Sequence, residues 1–165
     1  MNGARLKRGG IGGRVYPDVV LGEKKMIGVL ITTHGNLGGE LIKAVEMIKG
    51  TMKGVLHLSM DQTKGVEELK KEIAGALKKL DQGEGVLILT DLFGGTPSNI
   101  ALSFLKTGKV EVVTGVNLPM LLKLSEMREG ISLRDFAVHI RDYGMKNIYL
   151  ASEILNKKLT APKEV

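Results

Sequence analysis

The chain has 165 residues, a length that suits one compact domain, and its 43% hydrophobic content predicts that it folds. Because it contains no cysteine, disulfides, thiol catalysis and cysteine-bound metals are excluded. No stretch approaches the roughly 20 apolar residues that span a bilayer and the start lacks the apolar core of a signal peptide, so we expect a cytoplasmic protein.

The net charge of +6 lies mostly in the first segment of the chain. Residues 1–25 are Gly-rich and aperiodic and carry a net charge of +4, which leaves only +2 for the remainder. A nucleic-acid partner would require a basic face on the folded part, so we expect none. We interpret 1–25 as a disordered extension, a tag or a start assigned too early, with Met26 as the alternative start, 26–155 as a single domain and 156–165 as a tail.

From Met26 onward, strand patterns alternate with helix patterns. Short apolar runs predict five strands, at 26–33, 54–60, 85–90, 110–114 and 147–151. Apolar residues at helical spacing predict five helices, at 37–48, 63–80, 96–106, 118–127 and 132–143. Such alternation predicts an α/β domain with a mainly parallel open sheet and helices on both faces. Ligands of such sheets bind beyond the carboxyl ends of the strands, where strand order reverses.

The first predicted strand ends at His34. Imidazole is a good nucleophile toward phosphorus, and the free N–H groups of a following helix suit an anionic phosphoryl group. Gly35 leaves room for close approach of a ligand. A His that caps a turn or bonds a loop carbonyl explains this position equally well, so position alone leaves both interpretations open.

The third predicted strand ends at Asp91, followed by the turn Leu92-Phe93-Gly94-Gly95-Thr96-Pro97. If the first and third strands are neighbours, Asp91 can reach His34, fix its tautomer and stabilise its cation. Backbone amides at Gly94 and Gly95, with the Thr96 hydroxyl, are candidates to hold phosphoryl oxygens. The alternative is a turn with a helix cap. The turn lacks the spacing and lysine of a P-loop, so ATP binding is not predicted.

The fourth predicted strand runs into a third polar turn, Thr114-Gly115-Val116-Asn117-Leu118-Pro119. A helix start capped by Asn117 explains this turn better than direct catalysis does. The other two histidines, His57 within a strand and His139 within a helix, are interpreted as a structural residue and a solvated surface residue. Nothing in their spacing indicates a metal site, so we expect no metal and no cofactor.

Three segments together resemble a known family: MIGVLITTHGN, VLILTDLFGGTPSN and VTGVNLPML, in this order. They look like the enzyme IIA component of the mannose-class (mannose/fructose/sorbose) phosphoenolpyruvate-dependent sugar phosphotransferase system, from Met26 to about Leu150. Gly38, Ser98 and Lys123 depart from the residues common at these positions, and none of the three is a reacting group. The resemblance implies that His34 carries the phosphoryl group, that Asp91 bonds its ring and that Thr96 lies near the phosphate.

The resemblance also implies partners. His34 would accept phosphate from the phosphocarrier HPr and donate it to a separate IIB protein, which serves the membrane IIC and IID components. If Asp91 holds Nδ1, the reacting atom is Nε2. A homodimer is implied, with the last strand, 147–151, exchanged as a short antiparallel edge strand. Two other functions stay open: a phosphoryl donor for dihydroxyacetone kinase, and a regulatory binding module that transfers nothing.

Overall fold

The computed structural model describes residues 25–60, 63–124, 126 and 128–160. Four strands form the sheet: β1 (Gly28–His34), β2 (Val55–Met60), β3 (Val86–Thr90) and β4 (Val110–Thr114). Within these described ranges, six helices accompany them: α1 (Leu37–Lys49), α2 (Val66–Leu80), α3 (Thr96–Leu102), α4 (Leu118–Leu124), α5 (Leu133–Lys146) and α6 (Ala151–Thr160). The prediction of four parallel strands within an α/β fold is confirmed.

The strand order is β2-β1-β3-β4, so β1 lies between β2 and β3. The chain moves to one side of β1 when it forms β2 and to the other side when it forms β3 and β4. The reversal of strand order therefore falls between β1 and β3, which is where open parallel sheets bind their ligands. This topology brings the ends of the two strands that carry His34 and Asp91 side by side, which is the condition under which the sequence predicted their contact.

Each face of the sheet is covered by its own apolar core. On one face, Val29, Ile31, Leu87 and Leu89 pack with residues of α1, α4 and α5. On the other face, Leu30 and Ile88 pack with residues of α2 and α3. Since β1 and β3 are buried on both faces, their continuous aliphatic runs follow from the architecture. Among the described helices, none has both the length and the apolar character needed to cross a membrane.

The fifth strand, predicted at 147–151, is not formed within the single chain, and its exchange in a dimer stays a prediction. Residues 147–150 have no regular secondary structure, and Ala151 instead begins α6. The apolar side chains that suggested a strand are exposed, at 76% for Ile148, 65% for Tyr149 and 62% for Leu150. A strand requires a neighbour to satisfy its N–H and C=O groups, and within the described part of the single chain this segment pairs with none.

Some predicted boundaries lie outside the described residues or stay predictions. The interpretation of 1–25 falls, except for Lys25, on residues that the structure does not describe. Helix α6 extends to Thr160 and so crosses the boundary predicted between 155 and 156. Helix α3 ends at Leu102 rather than near 106, because Phe104 and Leu105 donate to carbonyls three residues back in tight turns.

Candidate functional site

His34 and Asp91 meet at the carboxyl end of the sheet. His34 is the last residue of β1, and Asp91 directly follows β3. Asp91 Oδ2 lies 2.9 Å from the backbone N of His34 and 2.9 Å from its ring Nδ1. The contact between His34 and Asp91, which we predicted for the case that their strands are neighbours, is therefore present.

The protonation states of this pair follow from their contacts. Burial raises the pKa of the Asp91 carboxyl, but the hydrogen bonds and charge of His34 outweigh this effect, so the pKa lies below its usual value of 3.8. Asp91 is then an ionised acceptor at neutral pH. The ring nitrogen Nδ1 must donate to it, which leaves the lone pair of neutral imidazole on Nε2. The His34 side chain is 37% exposed, against 12% for Asp91.

Gly95 packs directly against the imidazole ring. A Cβ built on Gly95 would lie 2.8 Å from Cε1 and 3.4 Å from Nε2 of His34. Because a real Cβ does not approach so closely, this position requires glycine for space, while its φ of −81° suits any residue. Gly94 and Gly35 are glycines for a different reason, since their φ values of +85° and +52° lie in the left-handed region.

The other two residues predicted for the site, Thr96 and Asn117, differ in their distance from His34 along the fold. Thr96 is the first residue of α3 and is exposed beside Gly95. Asn117 plays a structural part at the end of the next strand: its Oδ1 accepts from the N–H of Met120 at 3.1 Å, and its Nδ2 donates to the carbonyl of Gly144 at 3.2 Å. These bonds tie the start of α4 to α5, and the described contacts do not bring Asn117 to His34.

The remaining histidines lie elsewhere. His57 is exposed on the edge strand β2, where it faces Gly39 of α1. The prediction of a solvated surface His139 is wrong. Its side chain is half-buried, and Nε2 is buried without a hydrogen-bond partner in the described part of the chain. The reason is its place in α5, next to the fully buried Ile140 and three residues after the fully buried Phe136.

Sequence reasoning missed the threonines around His34. Thr33 Oγ1, 1% exposed, accepts from the N–H of Gly38 at 2.9 Å and so holds the first turn of α1 against β1. Thr32, two residues before His34, and Thr90, one residue before Asp91, are fully buried and pair in register. The signal was present, because a hydroxyl in a strand buried on both faces must find a partner.

Comparison with known proteins places this site in a family. Residues 28–141 match the model of the EIIA-man family, described as the PTS system fructose IIA component. The chain belongs to the EIIA-man family. It is 32% identical over 140 residues to the PTS system fructose-specific EIIA component of Bacillus subtilis, a match that covers 84% of this chain and 96% of the relative.

Other members of the EIIA-man family and solved PTS structures agree. The chain is 35% identical over 104 residues to the PTS system mannose-specific EIIAB component of Escherichia coli K12, covering 62% of this chain but 32% of that longer protein. The PTS IIA protein associated with the fucose utilization operon of Streptococcus pneumoniae superposes with a TM-score of 0.70 at 28% identity, covering 81% of this chain and 98% of that one. The resemblance read from the sequence is confirmed, and the chain is a phosphotransferase-system IIA component of the mannose class.

Proposed function

We propose that this chain is a phosphohistidine carrier, which accepts a phosphoryl group from HPr on Nε2 of His34 and donates it to a IIB partner for sugar uptake. The observation that supports this most directly is the hydrogen bond between Asp91 and Nδ1 of His34. It leaves Nε2 as the nucleophilic nitrogen, on a side chain that remains 37% exposed for an incoming donor.

The transfer balances without a further reactant. The Nε2 lone pair of neutral His34 attacks the phosphorus of the donor's phosphohistidine in line, and the bond from phosphorus to the donor nitrogen breaks as the new one forms. The donor ring keeps the electron pair of the broken bond. Positive charge builds on the His34 ring, where the ionised Asp91 stabilises it. In the onward step a nucleophile of IIB attacks the phosphorus, and the bond from phosphorus to Nε2 of His34 breaks with its electron pair returning to the ring.

Backbone groups around Nε2 are proposed to bind the phosphoryl oxygens. Gly95 lies against the ring at the edge that carries Nε2, which places its turn beside the new bond. The left-handed conformations of Gly35 and Gly94 turn the backbone at both sides of the site. We assign the amides of Gly35, Gly94 and Gly95 and the hydroxyl of Thr96 to the equatorial oxygens.

The surface around His34 suits a protein partner. Three apolar residues that flank the site in the chain are exposed: Leu37 at 46%, Leu92 at 55% and Phe93 at 72%. An open site rimmed by apolar side chains is typical of protein docking, as transfer between phosphocarriers requires. The membrane components IIC and IID would be served indirectly through IIB, and the cytoplasmic location stays a prediction.

A homodimer also belongs to this proposal. Strand β4 is the last strand of the sheet, so one of its edges lacks a strand neighbour among the described residues. The exposed apolar segment Ile148–Leu150 is the counterpart of the strand that the family resemblance implies is exchanged. Light scattering on the full chain would measure the mass directly, and a monomer at working concentration would contradict this part.

No observation favours the two alternatives, donation to dihydroxyacetone kinase or a binding module that transfers nothing. The decisive experiment incubates the chain with phosphoenolpyruvate, enzyme I and HPr, and measures intact mass at alkaline pH, where phosphohistidine survives. We expect one phosphoryl group on the wild type and on His57→Ala, and none on His34→Ala. His57 is the matched control because it is an exposed histidine on the neighbouring strand.

Each outcome of that experiment has a clear meaning. Loss of the label on addition of cognate IIB would support the forward transfer. A folded wild type that takes no label from cognate HPr would contradict the carrier function. A label that persists in His34→Ala would place the phosphoryl group on another residue.

A further inference from the structure

Three threonines form a row across the sheet just below the His34 site. Thr32 of β1 pairs in register with Thr90 of β3, which pairs with Thr114 of β4. Thr32 and Thr90 are completely buried, whereas Thr114 is half-buried. Thr90 directly precedes Asp91, and Thr32 stands two residues before His34. The two buried threonines therefore lie close along their strands to His34 and Asp91.

The strand pattern places these two hydroxyl groups beneath the imidazole. Side chains two residues apart on a strand point to the same face, so Thr32 shares a face with His34 above it and Leu30 below it. Leu30 and Ile88 belong to the core that α2 and α3 cover. The hydroxyl groups are thus enclosed between an apolar layer and the histidine site.

Neither buried hydroxyl group has a hydrogen-bond partner among the residues that the structure describes. Oγ1 of Thr32 and Oγ1 of Thr90 are inaccessible and make no hydrogen bond within the described residues. Oδ1 of Asp91, the next residue along β3, is a third oxygen at this sheet edge in the same condition. Such groups are rarely left unsatisfied, because a buried hydroxyl group without a partner loses its hydrogen bonds to water and gains none in return.

The spacing of the strands suits a bridging water. Neighbouring strands lie about 4.8 Å apart, and a water with oxygen–oxygen distances of about 2.8 Å on each side can join two hydroxyl groups across such a gap. Internal waters usually make about three hydrogen bonds, and the three unpartnered oxygens supply that number.

We propose that Thr32 and Thr90 hold an internal water between β1 and β3, that this water also donates to Oδ1 of Asp91, and that it thereby positions the carboxylate against His34. The two threonines are positioning residues. They touch neither the phosphoryl group nor the donor, and their part in catalysis rests on the proposed carrier function of His34.

A mutant cycle tests the bridge through the sign of the stability change. Thr32→Val or Thr90→Val alone removes one partner of a shared water, and we expect each to lower the melting temperature by about 2–8 °C. The double variant should lose less than the sum, because no orphaned hydroxyl group remains. If no water is bound, each valine removes an orphan. Both singles would then be as stable as the wild type or more stable, which overturns the proposal.

Two further variants make the comparison specific. Thr90→Ser keeps the hydroxyl group without the methyl group and should restore the wild-type hydrogen bonding. Thr114→Val lies in the same row but is half-buried, and it should leave the His34 site unchanged. In the wild type, nuclear Overhauser contacts between a long-lived water and the methyl groups of Thr32 and Thr90 would show the water directly. Their absence contradicts the proposal without any variant.

The functional readout is the ring of His34 itself. Its 15N signals report the tautomer, and we expect them to move in Thr32→Val and Thr90→Val, to return in Thr90→Ser and to stay unchanged in Thr114→Val. Phosphoryl uptake should fall by about 10-fold in the two valine variants. If the wild type takes no phosphate but the ring signals move, the carrier function fails and the bridge stands. If phosphoryl uptake is normal in the valine variants and their His34 15N signals do not move, the water bridge is contradicted while the carrier function stands.

Discussion

Asp91 Oδ2 accepts two hydrogen bonds from a single residue, the backbone N–H and the ring Nδ1 of His34, each at 2.9 Å. One oxygen therefore fixes both the end of β1 and the orientation of the imidazole that follows it. Because the carboxylate only accepts, this contact also assigns the ring proton to Nδ1 and the lone pair to Nε2. The predictions on the pair follow from this double contact.

Replacing Asp91 by Asn should nearly abolish phosphoryl uptake while the chain stays folded. The amide can donate to Nδ1 and so favours the tautomer with the proton on Nε2, which has no lone pair for attack. It also removes the negative charge that stabilises the phosphorylated ring. Loss of such an orienting carboxylate costs on the order of 10²–10⁴ in rate. Rapid-quench uptake from phosphorylated HPr would measure it. Asp142→Asn, a neutralised acid at an exposed ion pair, should transfer normally, and equal losses in both would contradict the role of Asp91.

The same carboxylate should make stability depend on acid pH. The pKa of Asp91 lies below its usual value of 3.8, so its contribution is complete above the unfolded-state pKa and is lost as pH falls through the lower folded-state pKa. Urea unfolding from about pH 6 to about pH 3 should show the wild type losing more stability than Asp91→Asn does. Identical slopes in the two proteins would mean that His34 does not depress this pKa.

Gly95→Ala should impair transfer through sterics alone. Its Cβ would lie 2.8 Å from Cε1 of His34, so the ring must move off Asp91 or the turn must shift. We expect uptake to fall by about 10–100-fold, the scale of a misplacement of about 1 Å. The matched control is Gly75→Ala on the exposed side of α2, where no atom of the described residues lies within 4 Å of the added Cβ. It should leave uptake unchanged and raise the free energy of unfolding by about 0.5–1 kcal/mol. Normal uptake in Gly95→Ala would contradict the close approach.

The sequence predicted the α/β fold because it depends on strong local signals, and it predicted the contact of His34 with Asp91 on the condition that β1 and β3 are neighbours. Continuous aliphatic runs mark β1 and β3 as strands buried on both faces, and each ends at the residue that carries the chemistry. Parallel strands that are neighbours must then bring His34 and Asp91 together. Ends of elements were less predictable, since turns such as the one after α3 are set by hydrogen bonds that no periodicity reveals.

The features that sequence reasoning missed depend on pairings between distant segments. The apolar run 147–151 looks like a strand, but a strand forms only where a partner offers its backbone, and here α6 begins instead. The burial of Thr32 beside Thr90 is set by the register of β1 against β3, two strands that are far apart in the sequence. The half-buried state of His139 has a local cause instead, because His139 lies beside the buried Phe136 and Ile140 on α5.

Asn117 offers a test of whether the third turn supports the fold or the chemistry. Its Oδ1 caps the first turn of α4 at Met120, and its Nδ2 reaches the carbonyl of Gly144 on α5. Asn117→Ala loses both bonds, and we expect the free energy of unfolding to fall by about 1–3 kcal/mol. Asn117→Ser keeps a capping oxygen but is too short to reach Gly144, so its loss should be smaller by about 1 kcal/mol.

Because neither bond of Asn117 involves His34, phosphoryl uptake at a temperature where both variants are folded should stay within a few-fold of the wild type. Denaturant unfolding and rapid-quench uptake on the same samples would separate the two effects. Stable variants that take no phosphate would instead assign Asn117 to the phosphoryl site, because a residue that only ties α4 to α5 cannot abolish transfer in a folded chain.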